Sequence, residues 1–210
     1  MEVAVIDYGM GNLRSVQKGF EKVGVTAEVT RDPDRIAAAR GVVLPGVGAF
    51  GACMENLAQY GLVDSVRSAI DSGRPFLGIC VGLQLLFEES EEYGPVRGLG
   101  VLAGRCKRFA HSDDPEYRVP HMGWNQLEKK APSPLLDGID DGAFVYFVHS
   151  YYADADDPGI VAASTVYGNE FVACVSRDNV HGCQFHPEKS QTVGLKILDN
   201  FGQIVRRSKT

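Results

Sequence analysis

Pro75-Phe76-Leu77-Gly78-Ile79-Cys80-Val81-Gly82-Leu83-Gln84-Leu85-Leu86-Phe87 passes from an apolar run into a second apolar pattern through one cysteine. Pro75 to Ile79 reads as a buried strand. Val81 to Glu89 reads as a helix, with Val81, Leu83, Leu85, Leu86 and Phe87 as its apolar positions. Between them, Gly78-x-Cys80-x-Gly82 has the spacing of a nucleophile elbow, with cysteine in place of serine. Such a turn holds its nucleophile in strained backbone, and side chains two positions to either side would collide, which favours glycine at 78 and 82. Cys80 would open the helix, where the partial positive charge of the N-terminus favours a thiolate and a nearby histidine would favour it further. The competing reading is a small core residue, the common fate of a free cysteine. The strand–turn–helix setting favours a nucleophile, and the other four cysteines (53, 106, 174, 183) lack that setting.

Outward from this point, the first half alternates strand and helix signals. Val3 to Asp7, 25–29 and 41–44 read as strands, and Asn12 to Val23, 50–59 and 62–72 as helices. Alternation of this kind predicts an α/β fold with a mostly parallel central sheet flanked by helices. The second half changes character. Residues 99–108, 142–148, 159–166, 171–176 and 180–185 read as additional, antiparallel strands, with Gly168-Asn169 as a hairpin turn. Gln191 to Arg206 reads as a closing helix, and 107–123, which contains Asp113-Asp114-Pro115, as a surface loop. No repeat or linker divides the chain, so one domain over 1–210 is expected.

Bulk properties exclude several function classes. The chain has 210 residues, 44% hydrophobic and 23% charged, enough apolar material for a sizeable core. A net charge of −6 offers no electrostatic footprint for nucleic acid. Met1 to Asp7 reads as a strand-like run, not as the basic start of an export signal, and no stretch of about 18 or more apolar residues occurs. With five cysteines in unpaired spacings, a reduced cytoplasmic compartment is expected.

Phe185-His186-Pro187-Glu188 follows the last strand signal. In extended chain His186 and Glu188 would face the same side, and a histidine steadied by a carboxylate is the arrangement a general base requires. A zinc site from His181, Cys183 and His186 is disfavoured: His186 has the opposite strand parity and no C-x-x-C completes the set.

These residues carry a family likeness. Pro45-Gly46-Val47-Gly48, Gly78 to Leu86 and Phe185-His186-Pro187-Glu188 resemble class I glutamine amidotransferases, in the family's order. Asp7-Tyr8-Gly9-Met10-Gly11-Asn12, Pro120 to Asn125, Tyr146 to Tyr152 and His186 to Gln191 are similar, within that family, to glutaminase subunits of imidazole glycerol phosphate synthases. The resemblance implies glutamine hydrolysis by Cys80, His186 and Glu188, without a cofactor or metal. Ammonia would pass to a (β/α)8-barrel cyclase subunit that makes imidazole glycerol phosphate and aminoimidazole carboxamide ribotide. A tetrahedral oxyanion needs two donors. One is the Val81 N–H, just after the nucleophile, and the resemblance assigns the other to Val47. It also assigns substrate binding to Gly48, Gln84, His149, Ser150 and Tyr151, and a partner interface to Asn12, Met122, Trp124, Tyr146 and Lys189.

Blander readings accompany several of these. Residues 45–48 can be a plain strand-end turn, Gln84 a surface glutamine, His149 a satisfied buried histidine and Trp124 a core residue. Glu88-Glu89-Ser90-Glu91-Glu92 reads as a solvated helix end. Glycine at 46 suggests backbone angles closed to other residues, so that the Gly46–Val47 peptide is turned away until a partner binds substrate. The rivals are another amidotransferase of the same class, a stand-alone γ-glutamyl hydrolase and a silent regulatory subunit.

Overall fold

Val3–Ile6 (β1) places four fully buried apolar residues in succession, the mark of a strand covered on both faces. In the computed structural model, which describes residues 1–110 and 117–208, β1 is followed by α1 (Leu13–Lys22), β2 (Ala27–Thr30), α2 (Pro33–Ala38) and β3 (Gly41–Gly46). Two helices, α3 (Phe50–Gln59) and α4 (Val63–Asp71), then lead to β4 (Phe76–Cys80) and the single turn α5 (Val81–Gln84). The second half supplies β5 (Phe87–Ser90), β6 (Val96–Arg97), β7 (Leu102–Arg108), β8 (His121–Gln126), β9 (Glu128–Lys129), β10 (Phe144–His149) and β11 (Tyr151–Ala155). The chain closes with β12 (Val161–Tyr167), β13 (Asn169–Arg177), β14 (Val180–Cys183) and α6 (Gln191–Arg207).

The main sheet has the order β2-β1-β3-β4-β14-β13-β12-β9. Its first five strands are parallel and the remaining three run antiparallel. The expected mostly parallel sheet with added antiparallel strands is therefore present. Helices flank it: α1 packs against α6, with the Phe20 and Phe201 rings 6.1 Å apart, and α2 packs against α4. A second sheet, β11-β7-β5-β6, packs on β13 through β11, and a two-stranded ribbon, β10-β8, packs on β12 through β8. The expected turn at Gly168 joins β12 to β13, with Gly168 at φ +71° between the pair Tyr167 and Asn169.

Three expectations fail. The helix predicted over 81–89 ends at Gln84, and Phe87–Ser90 is a strand. Here the backbone is drawn into pairing: the Leu85, Leu86 and Phe87 carbonyls accept from Leu99, Val101 and Gly100. Leu83, Leu85, Leu86 and Phe87 are all fully buried, and a run apolar on every side does not distinguish a buried strand from a helix. The acidic run is accordingly no helix end. Ser90 is buried, the Glu91 carboxylate accepts the Arg108 N–H and the Glu92 carboxylate accepts the Phe50 N–H. The loop predicted over 107–123 is strand at both ends, since 107–108 belong to β7 and 121–123 to β8; 111–116 lie outside the described residues.

Candidate active site

The carboxyl ends of β3, β4 and β14 lie side by side, the usual position of a ligand crevice in an open α/β sheet. Register pairs Gly46 with Cys80 across β3–β4 and Cys183 with Ile79 across β14–β4. Cys80 sits at φ 56°, ψ −112°, a strained conformation for a residue with a side chain. The flanking glycines are enforced by contact. A Cβ on Gly78 would lie 2.6 Å from the Gly82 carbonyl oxygen, and one on Gly82 would lie 1.8 Å from the Leu44 carbonyl oxygen. The one-turn α5 offers less of a helix dipole than the predicted long helix, so stabilisation of a thiolate falls mainly to neighbouring side chains.

His186 and Glu188 meet through a turn, not through an extended chain. Pro187–Lys189 forms a 3-10 turn, pinned by Ser190, whose hydroxyl donates to the His186 carbonyl at 2.7 Å and accepts the Tyr146 N–H at 2.9 Å. The turn brings His186 Nδ1 to 2.8 Å from Glu188 Oε1, with both side chains almost completely buried. Among the described residues, His186 Nε2 makes no hydrogen bond of ordinary geometry. Burial opposes the imidazolium, but the adjoining Cys80 sulfur and the Glu188 carboxylate outweigh it and raise the His186 pKa. The other cysteines differ: burial pushes the Cys53 thiol up to about 11 and the Cys174 thiol to about 12, and it raises Cys106 and Cys183 also.

Cys80 and His186 open onto one cavity of about 260 Å³, which is also lined by Val47, Gly48, Val81, Gln84, Ser150 and Tyr151. Gln84 is buried, not a surface glutamine. Its NH2 group donates to the Tyr151 carbonyl (2.8 Å) and to Gln184 Oε1 (3.1 Å), which leaves its own oxygen to meet a ligand. The His149 ring is engaged at both nitrogens, by the Tyr151 carbonyl at 2.9 Å and by His121 Nδ1 at 3.1 Å. Burial holds His149 neutral, with a pKa near 3. Any contact it makes with substrate falls to its backbone. Glu92, at the cavity wall, and Gln184, whose Nε2 lies 3.8 Å from the Cys80 sulfur, were not singled out from the sequence. Both sit in ordinary-looking polar positions of strand-rich segments.

Gly46 is glycine for lack of space and not for a left-handed φ. A Cβ there would fall 2.8 Å from the Gly82 nitrogen, 2.8 Å from Tyr8 Oη and 2.9 Å from Val81 Cβ. The loop after it is held by two buried side chains. Tyr8 Oη donates to the Pro45 carbonyl at 2.7 Å, and the Cys53 thiol to the Val47 carbonyl at 3.5 Å.

Comparison with known proteins identifies the family. The family model described as glutamine amidotransferase class-I matches residues 4–204. The chain is a class I glutamine amidotransferase. This amidotransferase is 56% identical to the imidazole glycerol phosphate synthase subunit HisH of Syntrophotalea carbinolica, over 96% of the chain and 100% of that protein. It is 55% identical to the subunit of the same name from Geobacter sulfurreducens, over 97% and 99%. A solved structure titled as a glutamine amidotransferase shares the fold at a TM-score of 0.76 and 22% identity, covering 98% of this chain and 100% of that one. PurLQS from Thermotoga maritima does so at 0.71 and 19%, covering 98% and 97%.

Beside the site, the amidotransferase exposes an apolar face. In the β8–β10 ribbon, Tyr146 pairs with Trp124, Val148 with Met122 and Phe144 with Gln126, and paired residues share a face. Met122 (62%), Phe144 (52%) and Trp124 (45%) are exposed, so the single tryptophan is not a core residue. Lys189 Nζ lies 5.8 Å over the Tyr146 ring, and Asn12 begins α1, which packs on the 187–189 turn. Phe144 is an addition to the residues expected on this face. His181 is buried and bonded to Ser176 Oγ at 2.8 Å. Among the described residues no helix is long and apolar enough to cross a membrane.

Proposed function

We propose that this amidotransferase is the glutaminase subunit of an imidazole glycerol phosphate synthase, acting in histidine biosynthesis. Its full-length similarity to subunits of that name supports the pathway. The observation that carries the chemistry is the sealed His186–Glu188 pair with Nε2 left open beside the strained Cys80. The Cys80 thiolate attacks the side-chain amide carbon of glutamine, and the oxyanion is met by the N–H groups of Val81 and Val47. As the carbon–nitrogen bond breaks, His186 gives its proton to the departing nitrogen, leaving ammonia and a glutamyl thioester. His186 then takes a proton from water as that water attacks the thioester. The carbon–sulfur bond breaks, glutamate leaves, and the thiolate–imidazolium pair is restored. Gly48, Gln84 and the 149–151 backbone hold the substrate, and the Glu92 carboxylate suits its α-amino group.

Ammonia released into water would be protonated and diluted, so the acceptor site must be enclosed with this one. The partner is a (β/α)8-barrel cyclase subunit that docks on the exposed ribbon face through Met122, Trp124, Tyr146, Lys189 and Asn12, and adds the ammonia to its nucleotide substrate. The Gly46–Val47 peptide serves as the gate, its N–H turned toward the oxyanion once the partner is loaded. The test is glutamine hydrolysis by wild type and Cys80→Ala, with and without the cyclase and its nucleotide. Strong stimulation of wild type, and none of the variant, is expected. Full turnover by the isolated chain would remove the gate from the proposal, and no stimulation by the cyclase would point to a different synthase.

A further inference from the structure

Gln184 is a fully buried amide with no part in the reaction described so far. It lies one step beyond the last β14–β4 pair, Cys183 with Ile79, which sets it beside Cys80. Its backbone N–H is fixed to the Ala173 carbonyl at 2.9 Å. Its side chain is oriented from behind: Gln84 donates to Gln184 Oε1 at 3.1 Å, which turns the Gln184 NH2 group the other way, onto the Cys80 sulfur at 3.8 Å. Gln84 is held in turn by its donation to the Tyr151 carbonyl. The strand register and this two-glutamine chain independently aim one donor at the nucleophile.

We propose that Gln184 is a catalytic residue of the glutaminase reaction, a neutral donor that hydrogen-bonds the Cys80 sulfur and stabilises its thiolate. A hydrogen bond to the charged form of a group favours that form. A protonated His186 across the same cavity favours the thiolate too, but it gives up its proton to the departing nitrogen. Gln184 has no proton to lose, so its donor is in place both when the thiolate attacks and when sulfur leaves the thioester as an anion. The other titratable groups around the sulfur do not duplicate it. Cys53 on α3 and Cys183 on β14 are neutral thiols, Tyr8 after β1 bonds Pro45, and the neutral His149 on β10 is engaged at both nitrogens. Glu92 and Lys189 on the cavity wall carry opposite charges, and Glu188 acts through His186.

The inference rests on Cys80 being the nucleophile, and the experiment separates the two. Iodoacetamide alkylation of Cys80 in the full chain, located by mass spectrometry and followed against pH, reports thiolate formation without glutamine turnover. Gln184→Met keeps the size and removes the donor. It should raise the alkylation midpoint by about one pH unit and lower kcat with the partner about tenfold, with KM less affected. The isosteric Gln184→Glu, which sets a carboxylate against the sulfur, should raise the midpoint further and decides the matter should the Met variant fail to fold. An unmoved midpoint in the folded variants overturns the role, even with activity reduced. Absence of wild-type glutamine hydrolysis with the partner would instead overturn the glutaminase reading.

Discussion

Glu188→Gln isolates the electrostatic part of the His186 contact. The amide is the same size and can still accept the Nδ1–H, so geometry is kept while one negative charge is lost from a pair of which 2% and 1% is exposed. A charge-assisted hydrogen bond contributes about 1.5–3 kcal/mol and a neutral one about 1. In a sealed site with weak screening the loss falls at the upper end of that difference, about 2 kcal/mol, or about 30-fold in kcat/KM. The pH signature has a definite sign. His186 has a folded pKa raised from 6.5 to about 10, so its stabilising contribution is complete below pH 6.5 and is lost as pH climbs toward 10. Glu188→Gln removes part of it, so the stability gap between wild type and variant should be widest on the acid side and narrow through that window. Steady-state glutamine hydrolysis with the partner, and urea unfolding across pH, measure the two effects. A variant within about threefold of wild type in kcat/KM would refute the reasoning.

Other perturbations address separate parts of the molecule. Gly82→Ala drives a Cβ into the Leu44 carbonyl at 1.8 Å and should cost about 3 kcal/mol or more, seen as a thermal midpoint lower by several degrees or as loss of soluble protein. Trp124→Ala and Phe144→Ser should change stability by less than about 0.5 kcal/mol yet weaken partner binding about tenfold or more, read by calorimetric titration. Glu2→Gln removes a carboxylate whose pKa the Arg206 hydrogen bond lowers from 4.5 to about 2. This partly exposed pair should contribute about 1 kcal/mol above pH 4.5, and the difference should vanish as pH falls toward 2 in urea unfolding.

The elbow was legible because strand, turn and glycine spacing each impose their own residue type. Gly78 and Gly82 are there because neighbouring carbonyls leave no room for a Cβ, and that demand is written directly into the chain. His186 and Glu188 were legible as a pair, though their geometry was not, since Pro187 fits either an extended step or the first position of a turn. The segment after Gln84 misled because complete burial erases the periodicity that separates helix from strand. β8 was hidden by alternation that favours no core reading: of its exposed positions Met122, Trp124 and Gln126, the first two are apolar where solvent was expected. Gln184 was invisible for a different reason. A lone amide just past a buried strand acquires meaning only from the register that sets it against Cys80.

The ribbon of β8 and β10 is a wall one residue thick. Val148 presents its side chain to the outside, opposite Met122, while its carbonyl oxygen lies 4.0 Å from the Cys80 sulfur on the inside. A subunit gripping the outer surface therefore holds the same peptide that the nucleophile touches. If the partner docks on this face as proposed, redesigning the strand to tighten the complex should retune the chemistry along with the affinity, because assembly and hydrolysis would then lie on opposite sides of one strand.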